Sequence, residues 1–209
     1  MENFDLFENM LLSFCTDKKF FIPISEISLS DEENPESVVL SDFKIIYFDK
    51  LCDEVHRNLC QIDSSSSKHR SVDGFYFIRE NNGIKLFFIE FKHINSKNRG
   101  KNKLKKITKP SLKLKAFESL FCVLPHLIRQ YCGEDKVNSI QSQLVNVPKY
   151  YLCVLKDRGN VNMNNEHVIA SEDFFDMERL SKYPFTKSIV ISPKTFKTFM
   201  EKKFYTNPI

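Results

Sequence analysis

Several motifs are missing from this 209-residue chain. It has no tryptophan and six cysteines, at 15, 52, 60, 122, 132 and 153. No two cysteines are spaced C-x-x-C, and no Cys/His cluster has zinc-finger spacing, so neither a redox dithiol nor a zinc finger is written in the sequence. Scattered thiols of this kind read as reduced, buried, small apolar residues, and the five histidines are equally dispersed. No apolar run reaches the ~18 residues of a membrane helix. The opening Met1-Glu-Asn-Phe-Asp lacks the basic-then-apolar order of a signal peptide. The expectation is a cytoplasmic protein with no membrane partner. Internal repeats and low-complexity domains are absent too.

One absence is local. Between Glu90 and Glu118 there is no acidic residue, while Lys or Arg stands at Lys92, Lys97, Arg99, Lys101, Lys103, Lys105, Lys106, Lys109, Lys113 and Lys115. The whole chain carries only +4, so the remainder is net acidic. A single basic tract on an otherwise acidic protein is an electrostatic footprint for a polyanion, although a solvated loop has the same composition. The nine residues from Lys97 to Lys115 are the candidate nucleic-acid contacts. Aromatics do not alternate with the charges of Lys97, Arg99, Lys101 and Lys103, so base stacking is not indicated. Phosphate contacts position a nucleic acid without reading its sequence.

Just before this tract, two apolar runs, Ser71–Ile78 and Ile84–Lys92, flank Asn82-Gly83. Asn-Gly between apolar runs is a strong hairpin signal. A two-residue loop at Asn82 and Gly83 sets Asn81 opposite Ile84, which pairs Phe75 with Glu90 and Asp73 with Lys92. Asp73, Glu90 and Lys92 then share one face, because opposed residues and residues two apart do. Asp73 and Glu90 become diagonal neighbours about 7–8 Å apart. Carboxylates at that reach can close on one hard cation; Mg²⁺ takes oxygen ligands at about 2.0–2.1 Å. The alternative is an Asp73–Lys92 ion pair across the hairpin, with Glu90 in solvent.

Aspartate, hairpin, then Glu90-Phe91-Lys92 closing an apolar strand resembles the PD-(D/E)XK nuclease superfamily. Val72 stands where the motif's proline would be. The resemblance spans at most residues 47–156 and is sharpest over 71–92. It implies a restriction-endonuclease-like core and a Mg²⁺-dependent nuclease (Mn²⁺ as substitute) that hydrolyses phosphodiester bonds, most of all in DNA. Asp73, Glu90 and the backbone carbonyl of Phe91 would hold the metal. Lys92 would hold or help deprotonate the attacking water and offset transition-state charge. Relatives often add a glutamate from the first core helix, for which Glu54, beside Asp53, is the best match. Some use a polar residue on the helix after Glu-x-Lys, where Lys113, Lys115 and Glu118 are candidates. A fold that binds nucleic acid or a protein partner without turnover is the competing expectation. Homodimerisation is left open.

The rest of the chain predicts an α/β fold with a central mixed sheet flanked by helices on both faces. Helices are expected at 3–16 (apolar stripe Phe4, Phe7, Leu11, Leu12, Phe14) and 47–61 (Leu51, Val55, Leu59). Another is expected at 111–132, kinked at Pro125 and stopped by Gly133. Loops are expected at 25–36 and 64–68. Strands are expected at Phe43–Phe48, Tyr150–Leu155, 167–170 and Ser188–Ile191. Ser171 and Ser192-Pro193 read as helix starts, for 172–181 and for a final helix reaching about 203. The organisation is a single domain, 1–209: a helix and acidic loop (1–40) appended to a core (47–156), with a strand–helix extension (167–209).

Overall fold

One mixed sheet of six strands organises the protein, and its strands lie side by side in sequence order. They are β1 (Phe21–Pro23), β2 (Lys44–Tyr47), β3 (Gly74–Glu80), β4 (Gly83–Ile94), β5 (Lys149–Asp157) and β6 (Lys187–Ile191). The first four are mutually antiparallel, while β5 runs parallel to β4 and β6 parallel to β5. This is a computed structural model describing residues 2–29, 35–62, 68–80, 83–94, 112–157, 180–181 and 183–206.

Helices cover both faces, as the apolar-on-both-sides strands require. One face packs on α1 (Glu2–Thr16), α3 (Phe48–Ile62), a long helix α4 over residues 112–132, and α5 (Val137–Leu144). The other packs on α2 (Ile24–Ile27) and α6 (Pro193–Thr206). Phe75, Phe77, Leu86 and Phe88 point to the first face; Tyr76, Ile78, Phe87 and Ile89 point to the second. Val72 packs on the first face, away from Tyr76 and Ile78, because it precedes the strand and escapes its alternation.

The abundance of phenylalanine has a structural use. Phe48, Phe75, Phe88 and Phe185 interlock with centroid spacings of 5.4 Å (Phe48–Phe75), 5.1 Å (Phe75–Phe88) and 5.5 Å (Phe88–Phe185). Each is fully or almost fully buried, and each contributes roughly 1.5–3 kcal/mol of transfer free energy. This slab lies on the same sheet face as Glu90 and fixes the strands that carry the site.

Most expected helices form, with differences of detail. In α4 the inward residues Leu112, Ala116, Leu120, Val123 and Leu127 are buried. The predicted disturbance falls just ahead of Pro125, as a π-helical turn over Ser119–Val123 in which the Leu124 N–H bonds the Ser119 carbonyl. Pro125 has no N–H to continue the α pattern, so the wider turn absorbs the missing bond. Gly133 then ends the helix at φ +102°. Ser192 starts α6 by accepting the Thr195 N–H at 3.1 Å. The loop expected over 25–36 contains the short α2 and a bridge between Leu29 and Ser37.

Strand β1 and the segment 134–144, a 3₁₀ turn followed by α5, were not expected. Both segments read as appendages place a strand in the sheet, β1 from the N-terminal one and β6 from the C-terminal one. The strand expected at 167–170 lies outside the described residues, as does most of the 172–181 helix, of which 180–181 is helical. The same holds for the polar linker, apart from Lys68, and for the basic loop. Among the described residues no helix is long and apolar enough to cross a membrane.

Candidate active site

The hairpin closes two residues away from the expected register. Glu80 pairs with Gly83, and Gly74 with Ile89, so Gly83 is the first residue of β4 rather than the second of the loop. Its φ of +126° suits glycine alone. A shift by two preserves every facing, so Asp73 keeps the face of Phe75 and Glu90. It also brings Asp73 level with Glu90 rather than with Lys92, turning diagonal neighbours into direct ones. Opposed Cβ atoms are about 4.5–5.5 Å apart.

Asp73 lies at the point where the β3–β4 ladder stops. Strand β4 continues for five residues beyond Ile89, held by β5 through Glu90–Cys153 and Lys92–Leu155. The next N–H on its open side belongs to Phe91, and the Asp73 Oδ2 accepts it at 2.7 Å. In an extended strand the N–H and C=O of one residue leave on the same side, so the Phe91 carbonyl shares the Asp73 edge. A Cβ on Gly74 would stand 2.5 Å from Ile45 Cδ1, so a larger residue there would have to push that buried side chain aside.

The approach to Asp73 is tied down from two helices. The Val72 N–H donates to Ser119 Oγ at 2.9 Å, and the Arg70 N–H donates to the Glu118 carboxylate. Ser71 Oγ donates to Asp49 at the start of α3. Glu118 therefore anchors the backbone entering the site. Val72 and Ser119 are buried, so the bond between them is shielded and costly to lose.

Lys115, from α4, completes the centre. Its Nζ lies 2.9 Å from Glu90 Oε1, 3.2 Å from Glu90 Oε2 and 3.3 Å from Asp73 Oδ1. Lys92 Nζ lies 2.7 Å from Glu90 Oε1. In place of the alternative Asp73–Lys92 pair, Lys92 meets Glu90, and Glu90 is fully buried, not in solvent. Asp73, Lys92 and Lys115 keep 22%, 28% and 23% of their side-chain surface. A buried carboxylate is tolerated because two ammonium groups compensate it.

These contacts set protonation. Burial, and after it the Glu90 charge, push the Asp73 carboxyl up to about 7, against the pull of Lys115, Lys92 and the Phe91 N–H. Burial works against the ammonium of Lys115, but Glu90 and Asp73 overcome it and hold the group above its ordinary range. Lys92 is also raised: burial opposes its charge, and Glu90 more than offsets that. Lys92 as it stands is a proton donor, suited to holding a water or phosphate oxygen rather than to taking a proton.

The group opens into a polar cleft of ≈ 600 Å³ whose walls include Glu26, Tyr47, Asp49, Asp73, Lys92 and Lys115. Glu54 is not among them. Its carboxylate meets Lys19 at 3.0 Å, so the first-helix acid facing the cleft is Asp49, at the opposite end of α3's first turns. The sequence signal for Asp49 was its place two residues after a strand, where a chain leaving a sheet enters a helix. Lys113 is half-buried on α4. Lys97, Arg99, Lys101, Lys103, Lys105, Lys106 and Lys109 lie outside the described residues.

The donor set suits a hard divalent cation. Two carboxylates converge on a focus that already attracts positive charge, and the Phe91 carbonyl leaves its strand on the Asp73 edge. Among the described residues no group of three His, Cys, Asp or Glu side chains could enclose a metal, so such an ion would complete its shell with water, as Mg²⁺ commonly does. No protein-family model matches the chain, and neither a curated protein nor a solved structure matches it.

Proposed function

We propose that the protein is a divalent-metal-dependent nuclease with a restriction-endonuclease-like core, hydrolysing phosphodiester bonds in DNA. The observation that carries this reading is the convergence of Asp73 and Glu90 on a single cation, with Lys92 beside them, at the frayed end of a hairpin. Two carboxylates to hold Mg²⁺ or Mn²⁺ and one ammonium to face the phosphate are what such hydrolysis needs. The basic tract after Lys92 supports a polyanionic substrate.

In this reading Asp73, Glu90 and the Phe91 carbonyl hold the metal, which supplies Lewis acidity to the scissile phosphate and acidifies water. Asp73 does so as a carboxylate, and its proton leaves as pH rises through about 7. Lys92 orients the attacking water and stabilises charge building on the phosphate oxygens. Ser119, Glu118 and Asp49 hold the chain entering Asp73 in place. The basic tract contacts backbone phosphate without reading bases.

A second reading, a nucleic-acid-binding protein without turnover, is favoured by one observation: the Lys115 ammonium already satisfies both carboxylates. Incubation of linear, circular, branched and single-stranded DNA, and of RNA, with Mg²⁺, Mn²⁺ or EDTA separates the two. The nuclease reading expects cleavage in metal, none in EDTA, and none from Lys92→Ala despite retained binding. Salt-sensitive binding with no cleavage of any substrate establishes the second reading instead.

A further inference from the structure

We propose that Lys115 is a built-in counter-ion that occupies the Asp73–Glu90 focus and gives it up when metal and nucleic acid bind together. The inference rests on the metal-dependent reading above and adds a coupling that reading does not contain.

Lys115 Nζ touches three carboxylate oxygens, two on Glu90 and one on Asp73, at 2.9–3.3 Å. A divalent ion would bind those oxygens at about 2.0–2.1 Å. The two cations cannot share the same focus, so metal entry requires this ammonium to leave. Lys92 is placed differently, because it meets Glu90 Oε1 on one side and has no contact to Asp73 within ion-pair distance. It can remain while Lys115 departs.

Departure is open to Lys115. Its side chain comes from α4, not from the hairpin, retains 23% exposure, and lines the same cleft as Asp73. A four-carbon stem lets the ammonium move without moving the helix. The cleft it lines can receive it, and a phosphate bound there would be its partner.

Charge balance gives the direction of the coupling. With both carboxylates ionised, Asp73, Glu90, Lys92 and Lys115 cancel. Adding a divalent cation alone leaves two surplus positive charges in a poorly solvated site, which is costly. A phosphodiester offsets part of the surplus and gives the displaced Lys115 an anionic partner. Metal and nucleic acid therefore bind with positive cooperativity, reciprocal between them.

The test is calorimetric titration of Mn²⁺ into wild-type protein, Lys115→Met and Lys92→Met, each with and without a phosphorothioate duplex that resists hydrolysis. Without duplex, Lys115→Met tightens Mn²⁺ binding about tenfold or more, and Lys92→Met changes it far less; duplex tightens wild-type binding at least about fivefold and that of Lys115→Met less than about twofold. The metal-free Lys115→Met protein melts below wild type, and Mn²⁺ restores it. If that variant does not fold, Lys115→Gln, which keeps a donor without the charge, shows the same directions. Equal Mn²⁺ affinity in wild type and both Lys115 variants overturns the inference while the metal reading stands. Equal tightening by Lys92→Met also overturns it, since a general charge effect then accounts for the gain. No Mn²⁺ uptake by any of the proteins overturns both the inference and the metal reading.

Discussion

The Phe91 N–H donates to Asp73 Oδ2 at 2.7 Å, just beyond the last β3–β4 pair, Gly74–Ile89. Aspartate takes over where the ladder ends, and its other oxygen is left for the cation. Asp73→Ala removes both functions, whereas Asp73→Asn still offers an oxygen to the Phe91 N–H. The asparagine variant keeps the fold but loses at least about 100-fold in cleavage rate, the scale expected when a preorganised charge at the reacting centre is removed. Parallel circular dichroism and plasmid-cleavage rates check both halves.

Stability of the metal-free protein depends on pH through the same residue. Burial and Glu90 raise the folded Asp73 to about 7, above its value in the unfolded chain. A raised acid stabilises the fold fully below its unfolded pKa, and that contribution is lost as pH rises through the folded value. The difference in denaturant midpoint between wild type and Asp73→Asn therefore shifts against wild type between about pH 4 and pH 8. Urea melts in EDTA across that range measure it.

Ser119 holds the strand entrance. Its hydroxyl accepts the Val72 N–H at 2.9 Å, and both residues are fully buried. Ser119→Ala leaves that N–H unpaired and lowers stability by about 1–3 kcal/mol. Because Val72 precedes Asp73, the proposed cleavage is expected to fall in the variant at temperatures where it is still folded. Denaturant melts and cleavage assays on one preparation separate the two effects.

Lys149 is a buried lysine with a structural task. Its ammonium donates to the carbonyls of Leu144, Val145 (3.4 Å) and Val147 (2.7 Å), closing the end of α5, and burial lowers its pKa. Lys149→Met fills the same volume but strands these carbonyls, costing roughly 1–3 kcal/mol. Cleavage by the folded variant stays unchanged, because the residue lies away from the site. Chemical denaturation provides the check.

Cys15 and Cys52 are inert in the folded chain. Burial pushes Cys15 up to about 12 and Cys52 up to about 11, so little thiolate forms at neutral pH. Alkylation at pH near 8 is slow for both in the native protein and fast in denaturant. Mass spectrometry of tryptic peptides resolves each site.

Much of the site is legible in the sequence because strand geometry has a period of two. The facing of Asp73 and Glu90 survives a register error of two residues; an error of one would have reversed it. What misled the register was Gly83, whose positive φ serves a strand start as well as a turn. Lys115 was only one of several candidates on its helix, because its role depends on how α4 crosses the sheet. Asp49 and Glu54 share a helix, and tertiary packing alone decides that Asp49 faces the cleft while Glu54 meets Lys19. Strand β1 is three residues long and ends in proline, too short for any periodicity to show.

In the proposed function Asp73 and Glu90 would hold the divalent cation on which phosphodiester cleavage depends. Cleavage of supercoiled plasmid by wild type, Asp73→Asn and Glu90→Gln, titrated with Mg²⁺ or Mn²⁺, tests it most directly. Wild type is expected to nick or linearise the plasmid only with metal, and both substitutions to abolish this. Cleavage that persists undiminished in either variant, or in EDTA, contradicts it.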